Sequence, residues 1–189
     1  MPAVGRVTLK HLLECPDLLL SLENLDEKTI AEREVKENRV QVVGLSIAGF
    51  TAYLYPDRIQ LFGKSETDYL NTLSEEERRH KADIFLSCKP VAVIFTDPVK
   101  PPDYFREIAA ARGVPLFSTR MVSSVFLDFV KDCLNRLLAA TTTLHAQLVD
   151  VFGVGMLIMG ESGVGKSETS LDLVMKGHKL IADDVVEIR

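Results

Sequence analysis

The chain has little cysteine, no massed positive charge and no long apolar run, and each shortage removes a class of protein. Its three cysteines, Cys15, Cys88 and Cys133, are odd in number and far apart. That pattern argues against a disulfide frame or a zinc site and for reduced thiols serving as packing residues in a cytosol. The 22 lysines and arginines are scattered among 27 acidic residues, for a formal net charge of -5, so no nucleic-acid groove held by phosphate neutralisation is expected. The longest apolar stretch, around Val151 to Met159, is too short to span a bilayer, and the opening MPAVGRVTLK lacks the apolar centre of a signal peptide. A soluble cytoplasmic protein is expected, with neither membrane nor nucleic acid as partner. What is present is 189 residues, 47% hydrophobic and 26% charged, an ordinary globular composition with room for two small domains.

The chemistry concentrates in Val154 to Gly177, VGMLIMGESGVGKSETSLDLVMKG. Gly160, Gly165, Lys166 and Ser167 fill the pattern G-x-x-x-x-G-K-[ST], with Glu161, Ser162, Gly163 and Val164 between them. Met156 to Met159 reads as a buried strand before the loop. Leu171, Val174 and Met175 recur at helical spacing after it, and Gly177 stops the helix. In such a strand, loop and helix unit the glycines let successive backbone N–H groups turn toward an anion at the positive end of the helix. Lys166 would then neutralise the β and γ phosphates of a nucleotide, and the Ser167 hydroxyl would be a ligand of Mg²⁺. A glycine-rich turn with an incidental GKS would lack the flanking strand and helix.

Earlier in the chain, Thr8 can cap a short helix carrying Leu9, Leu12 and Leu13, and Ser21 to Asn38 reads as charged loop with some helix. Val40 to Ile47, ending at a Gly49 turn, and Arg58 to Phe62 read as strands. Ser74 and Glu77 form a capping box opening a helix to about Asp83. Val91 to Phe95 is a strand buried on both faces, Pro101 and Pro102 open a helix that Gly113 closes, and Val114 to Phe117 is another strand. Val122 to Leu138 is a long helix with the core stripe Phe126, Phe129, Val130, Cys133, Leu134 and Leu137. Alternation of strand and helix implies parallel strands, a small α/β domain over residues 1–138 that lacks a glycine fingerprint and is assigned no catalysis. The polar link at Ala139 to Thr143 marks the boundary with a second domain, 139–189.

That second domain begins with an alternating strand pattern, Leu144 to Val151. Of four histidines, His11, His80 and His178 read as surface or satisfied residues, while His145 lies close enough to the loop unit to be functional. After the loop helix, Leu180 to Ala182 is a short strand with Asp183 and Asp184 at its C-terminal end, the edge where α/β enzymes bind ligands. Adjacent strand residues point to opposite faces, so one acid is expected to face the phosphates, as proton acceptor or as Mg²⁺ partner.

The residues GESGVGKSETSLDLVMKGHKLIADD, preceded by TTTLHAQLVDVFGVGMLI and, upstream, by RIQLFGKSETDYL, LSEEERR and GVPLFSTR, resemble the HPr kinase/phosphorylase family. The likeness extends over nearly the whole chain from Val40 and is weaker before it. It implies a bifunctional serine kinase of HPr, the phosphocarrier of the sugar phosphotransferase system, that also removes the phosphate by phosphorolysis in carbon catabolite regulation. ATP or pyrophosphate and Mg²⁺ would be used, on a P-loop fold similar to phosphoenolpyruvate carboxykinase and in a homo-hexamer. By the same resemblance, residues 160–167 are the nucleotide loop, with Lys166 on phosphate and Ser167 on Mg²⁺. His145 is the active-site histidine, Asp184 the acid–base aspartate and Asp183 its neighbour. Family members continue past the position of Arg189 with further catalytic residues, so the 189 residues are expected to be a part of the enzyme, inactive alone. Two other readings compete. A different P-loop small-molecule kinase or GTPase would need a base-reading motif such as NKxD, absent from these residues; a non-catalytic nucleotide-sensing or assembly module would bind without transfer.

Overall fold

The computed structural model describes residues 7–188 apart from 26 and 141, so the first six residues, Thr141 of the expected link and Arg189 lie outside the described residues. The chain divides into two compact units, one of residues 6–138 and one that contains residues 139–189.

In the first unit a five-stranded sheet is built from β1 (Leu20–Leu22), β2 (Val40–Val42), β3 (Ile59–Phe62), β4 (Ala92–Phe95) and β5 (Leu116–Thr119), in the order β1-β5-β4-β3-β2. Strands β2 to β5 are parallel, and β1 closes the edge antiparallel to β5. The side-chain period of two divides β3, β4 and β5 between two cores. Ile59, Leu61, Ala92, Ile94 and Phe117 pack with Leu9, Leu12, Ile30, Phe126, Val130 and Leu134. These last belong to α1 (Leu9–Leu13), α2 (Glu27–Ala31) and α6 (Ser123–Leu138). Phe62, Val93, Phe95 and Leu116 pack instead with Leu70, Phe85, Leu86 and Phe105, from α3 (Lys64–Asn71), α4 (Glu75–Ser87) and α5 (Asp103–Arg112). Helices thus cover both faces of a mostly parallel sheet, and its central strand β4 is apolar and buried on both sides.

Local signals decide several helix ends. Ser74 caps α4, accepting from Glu77 N at 3.3 Å while Ser74 N donates to the Glu77 carboxylate at 3.0 Å. The Ser74 hydrogen bonds hold the Glu77 carboxyl below its usual range. Gly113 ends α5 in the left-handed region at φ 65°. Thr8 caps α1, its N–H and hydroxyl both meeting His11 Nδ1, at 3.0 and 3.1 Å.

Several expectations are corrected. The strand from Val40 stops at Val42, because Gly44 turns to φ 50° and donates its N–H to the Glu66 carboxylate at 3.1 Å, starting a 3-10 turn at Gly44–Ser46. The strand expected at Val114 begins at Leu116, because Val114 N closes the end of α5 on Ala109 O at 2.8 Å and proline has no N–H to give. Helix α3 was not anticipated, and α4 runs to Ser87. Phe129, expected in the stripe of α6, is 45% exposed. Cys15 and Cys133 are joined as a disulfide, which overturns the reading of three reduced thiols and leaves Cys88 as the free cysteine. The two lie 118 positions apart and meet because both pack into the core beneath α6.

The second unit contains β6 (Thr142–Leu144), β7 (Gln147–Val151), β8 (Val154–Ile158), α7 (Lys166–Met175), β9 (Lys179–Ala182) and β10 (Val186–Ile188). β6 pairs with β10 antiparallel; β7 lies between β8 and β9, antiparallel to both. β8 and β9 therefore run the same way, and their C-terminal ends meet the start of β7. The loop strand expected to be buried is mostly exposed, with Val154 at 65% and Met156 at 44%, and the α7 stripe is open as well, with Leu171 at 60% and Met175 at 80%. No helix among the described residues is long and apolar enough to cross a membrane.

Candidate functional site

Between Ile158 and Lys166 the chain makes a loop whose turns require glycine. Gly163 and Gly165 have φ of 86° and 91°, left-handed conformations that cost a residue with Cβ about 1–2 kcal/mol. A Cβ on Gly160 would stand 2.9 Å from Val164 Cγ2, so the loop folds onto itself there. Lys166 reaches back across it, its Nζ donating to Gly160 O at 2.7 Å and Glu161 O at 2.8 Å. Gly165 is the N-cap of α7 and no side chain caps the helix. The first-turn N–H groups and the Lys166 ammonium together make the positive end of a helix available to an anion.

The second half of the site follows from strand register. Gln147 opens β7 opposite Ile158, the last residue of β8, and the next residue, Leu148, faces Ala182, the last of β9. Gln147 thus stands between the residue that leads into the loop and the residue that leads into the acid pair. Its side chain, 3% exposed, uses every polar atom. Nε2 donates to Ser167 Oγ at 2.9 Å and to Asp183 Oδ1 at 2.7 Å, and Oε1 accepts from the buried Ser170 hydroxyl.

Of the residues singled out in the sequence, Gly160 to Ser167 form one loop and Asp183 is brought to Ser167 through Gln147. Asp184 follows at φ 64°, exposed, with its carboxylate turned to no hydrogen-bond partner among the described residues. His145 lies in the bend two residues before Gln147, exposed and likewise without a hydrogen bond among the described residues. His178 sits edge-on to Phe152, ring centroids 4.8 Å apart, in keeping with a surface role. Gln147 and Ser170 were missed. The available signal was a lone amide in an apolar alternation, which by itself reads as an outward-facing strand residue.

No group of three or more His, Cys, Asp and Glu side chains suited to a metal occurs among the described residues. Ser167 Oγ and Asp183 Oδ1, both held by one amide nitrogen, nevertheless form a pair of hard oxygen donors of the type Mg²⁺ prefers, which leaves most of its coordination to phosphate oxygens and water. The residues fit the ion.

Comparison with known proteins gives matches along nearly the whole chain. The family described as HPr serine kinase N terminus matches residues 7–134, and the HPr serine kinase C-terminal domain matches residues 136–189. The HPr kinase/phosphorylase of Leptospira biflexa is 40% identical over all 189 residues, which make up 58% of that protein. That of Geobacter sulfurreducens is 37% identical over 97% of this chain and 57% of its own length. The chain therefore spans somewhat more than half the length of these relatives. In fold, it resembles the CBS and DRTGG domains of the regulatory region of Clostridium perfringens pyrophosphatase, with a TM-score of 0.50 at 13% identity, over 70% of this chain and 50% of that one. With both halves of the family matched and relatives near 40% identity, this chain belongs to the HPr kinase/phosphorylase family.

Proposed function

We propose that the chain carries the nucleotide-binding part of a bifunctional serine kinase/phosphorylase. It would phosphorylate HPr from ATP or pyrophosphate with Mg²⁺ and return the phosphoryl group to inorganic phosphate. The observation that carries this reading is the convergence of Lys166, the uncapped start of α7 and the Ser167–Gln147–Asp183 cluster at one strand edge. Lys166 would bind the β and γ phosphates, and the loop N–H groups would orient them for in-line attack. Bound Mg²⁺ would neutralise charge on the transferring group, held by Ser167 with Asp183 beside it. Asp184 would accept the seryl proton as the hydroxyl attacks the γ phosphorus and the bond to the leaving phosphate oxygen breaks. In reverse it would return that proton to the serine as phosphate attacks phosphoserine, forming pyrophosphate. His145 would assist from the same edge. Residues 1–138 and 139–189 would be separate domains, and the whole protein a cytoplasmic homo-hexamer.

Mass spectrometry of HPr after incubation with the full chain as the cell makes it, ATP and Mg²⁺ tests the reading. A gain of one phosphoryl group on serine, lost again with excess phosphate, is expected. Nucleotide binding without transfer would favour the sensing module instead.

A further inference from the structure

The buried amide between the loop serine and the acid pair has a chemistry of its own. Asp183 as a carboxylate only accepts hydrogen bonds, so the group facing it must donate, and a glutamine can present either its NH₂ or its carbonyl. The Asp183 carboxylate settles the choice: the NH₂ faces it and Ser167 Oγ, and Oε1 is left to accept from the Ser170 hydroxyl. Ser170 and Gln147 are each 3% exposed, so the amide itself is shielded from water and its bond to Ser170 is buried. The two oxygens are then no further apart than the two hydrogen bonds laid end to end, and each keeps lone pairs on the side away from the amide.

Resting on the reading of this loop as a Mg²⁺–phosphate site, we propose that Gln147 is a positioning residue that sets Ser167 and Asp183 as one oxygen pair for the cation, with Ser170 locking the amide's orientation. The pair comes from two separate stretches, the start of α7 and the end of β9. A serine hydroxyl on its own rotates freely, and an aspartate in an exposed bend samples several rotamers. Tying both to one buried amide removes that freedom before the ion arrives, as partners behind metal ligands generally do.

The test measures metal binding rather than activity. In the full chain, Mn²⁺ uptake in the presence of pyrophosphate is followed by the loss of the free Mn²⁺ electron-paramagnetic-resonance signal. Pyrophosphate binding without metal is followed by calorimetry. Gln147→Met keeps the length and removes both donors. It is expected to weaken Mn²⁺ about 10- to 100-fold, the usual cost of losing a partner behind a ligand, with metal-free pyrophosphate binding unchanged. Ser170→Ala, a mild change that preserves folding if the methionine variant does not, is expected to weaken Mn²⁺ in the same direction by a smaller factor. Unaltered Mn²⁺ affinity in the folded variants, even with lowered thermal stability, overturns the inference and leaves Gln147 a packing residue. If the unsubstituted protein takes up no Mn²⁺ with pyrophosphate, the loop reading itself falls, and this inference with it.

Discussion

The pentapeptide Gly-Lys-Ser-Glu-Thr occurs twice, at 63–67 and at 165–169, each time between a strand and a helix, and the two copies do different things. They agree at the threonine: Thr67 and Thr169 both send their backbone N–H and their hydroxyl back to the carbonyl of the first glycine, the hydroxyls at 3.2 and 2.9 Å. They differ at every polar residue between. In the first copy β3 runs straight into Gly63, whose φ of -116° needs no glycine. Glu66, 5% exposed, folds back so that its carboxylate accepts from Gly63 N at 3.0 Å and Gly44 N at 3.1 Å, while Lys64 turns outward to Asp68. The anion at this helix start is the protein's own. In the second copy a loop bearing Gly160 and Gly163 intervenes and Gly165 is left-handed. Glu168 is exposed, the helix has no side-chain cap, and Lys166 arches over the loop. What leaves the second helix start open is therefore the loop ahead of the pentapeptide and the position of the glutamate, since the letters G-K-S-E-T serve equally well to close one.

The largest way to sharpen this comparison uses the acids that follow only the second copy. Asp184→Asn keeps the shape and removes the base. Both directions of transfer are expected to fall about 10²- to 10⁴-fold with nucleotide binding retained, as read by HPr phosphorylation rates and calorimetry. If Asp183→Asn had that effect and Asp184→Asn did not, the two acids would exchange roles. Next come the paired lysines. Lys166→Ala is expected to weaken pyrophosphate binding and lower the transfer rate by roughly 10²- to 10³-fold, whereas Lys64→Ala changes neither. Equal effects would erase the distinction between the copies.

Stability separates the glutamates. A fragment ending at Leu138 is expected to unfold in one cooperative transition. Within it, Glu66→Ala should lower stability by about 2–3 kcal/mol in urea titration, because one buried and one partly buried N–H group lose a charged acceptor. Glu168→Ala in the full chain should leave the unfolding midpoint where it was. The smallest effect tests the point of likeness: Thr67→Val and Thr169→Val are each expected to cost about 0.5–1.5 kcal/mol, the ordinary worth of one hydrogen bond, and a tenfold difference between the two energies would break the parallel.

Much of this could be read without coordinates where a local cause suffices. β3 was legible because Pro56 and Gly63 bound it, β4 because burial on both faces makes an uninterrupted apolar run, α4 because Ser74 and Glu77 satisfy each other three residues apart, and α5 because prolines open it and Gly113 ends it. The misreadings share a different cause. Val43 to Ile47 looked like strand by propensity, yet a carboxylate 22 residues away takes the Gly44 N–H. The exposure of Leu171 and Met175 also ran against their helical spacing, which marks a stripe without saying what lies against it.

Spacing and residue type alone therefore indicated the alternating strands and helices of the α/β unit, the eight-residue glycine loop and the acid pair after the following helix. Each of those signals, an apolar period, a cap or a turn residue, lies within a few residues. Only the tertiary structure decided which pentapeptide is closed by its own glutamate, that Cys15 meets Cys133, and that Gln147 joins Ser167 to Asp183. The Glu66 bond to Gly63 N spans three residues, but its bond to Gly44 N and the other two pairings join residues 20 to 118 positions apart, contacts that strand register and core packing create and no local pattern encodes.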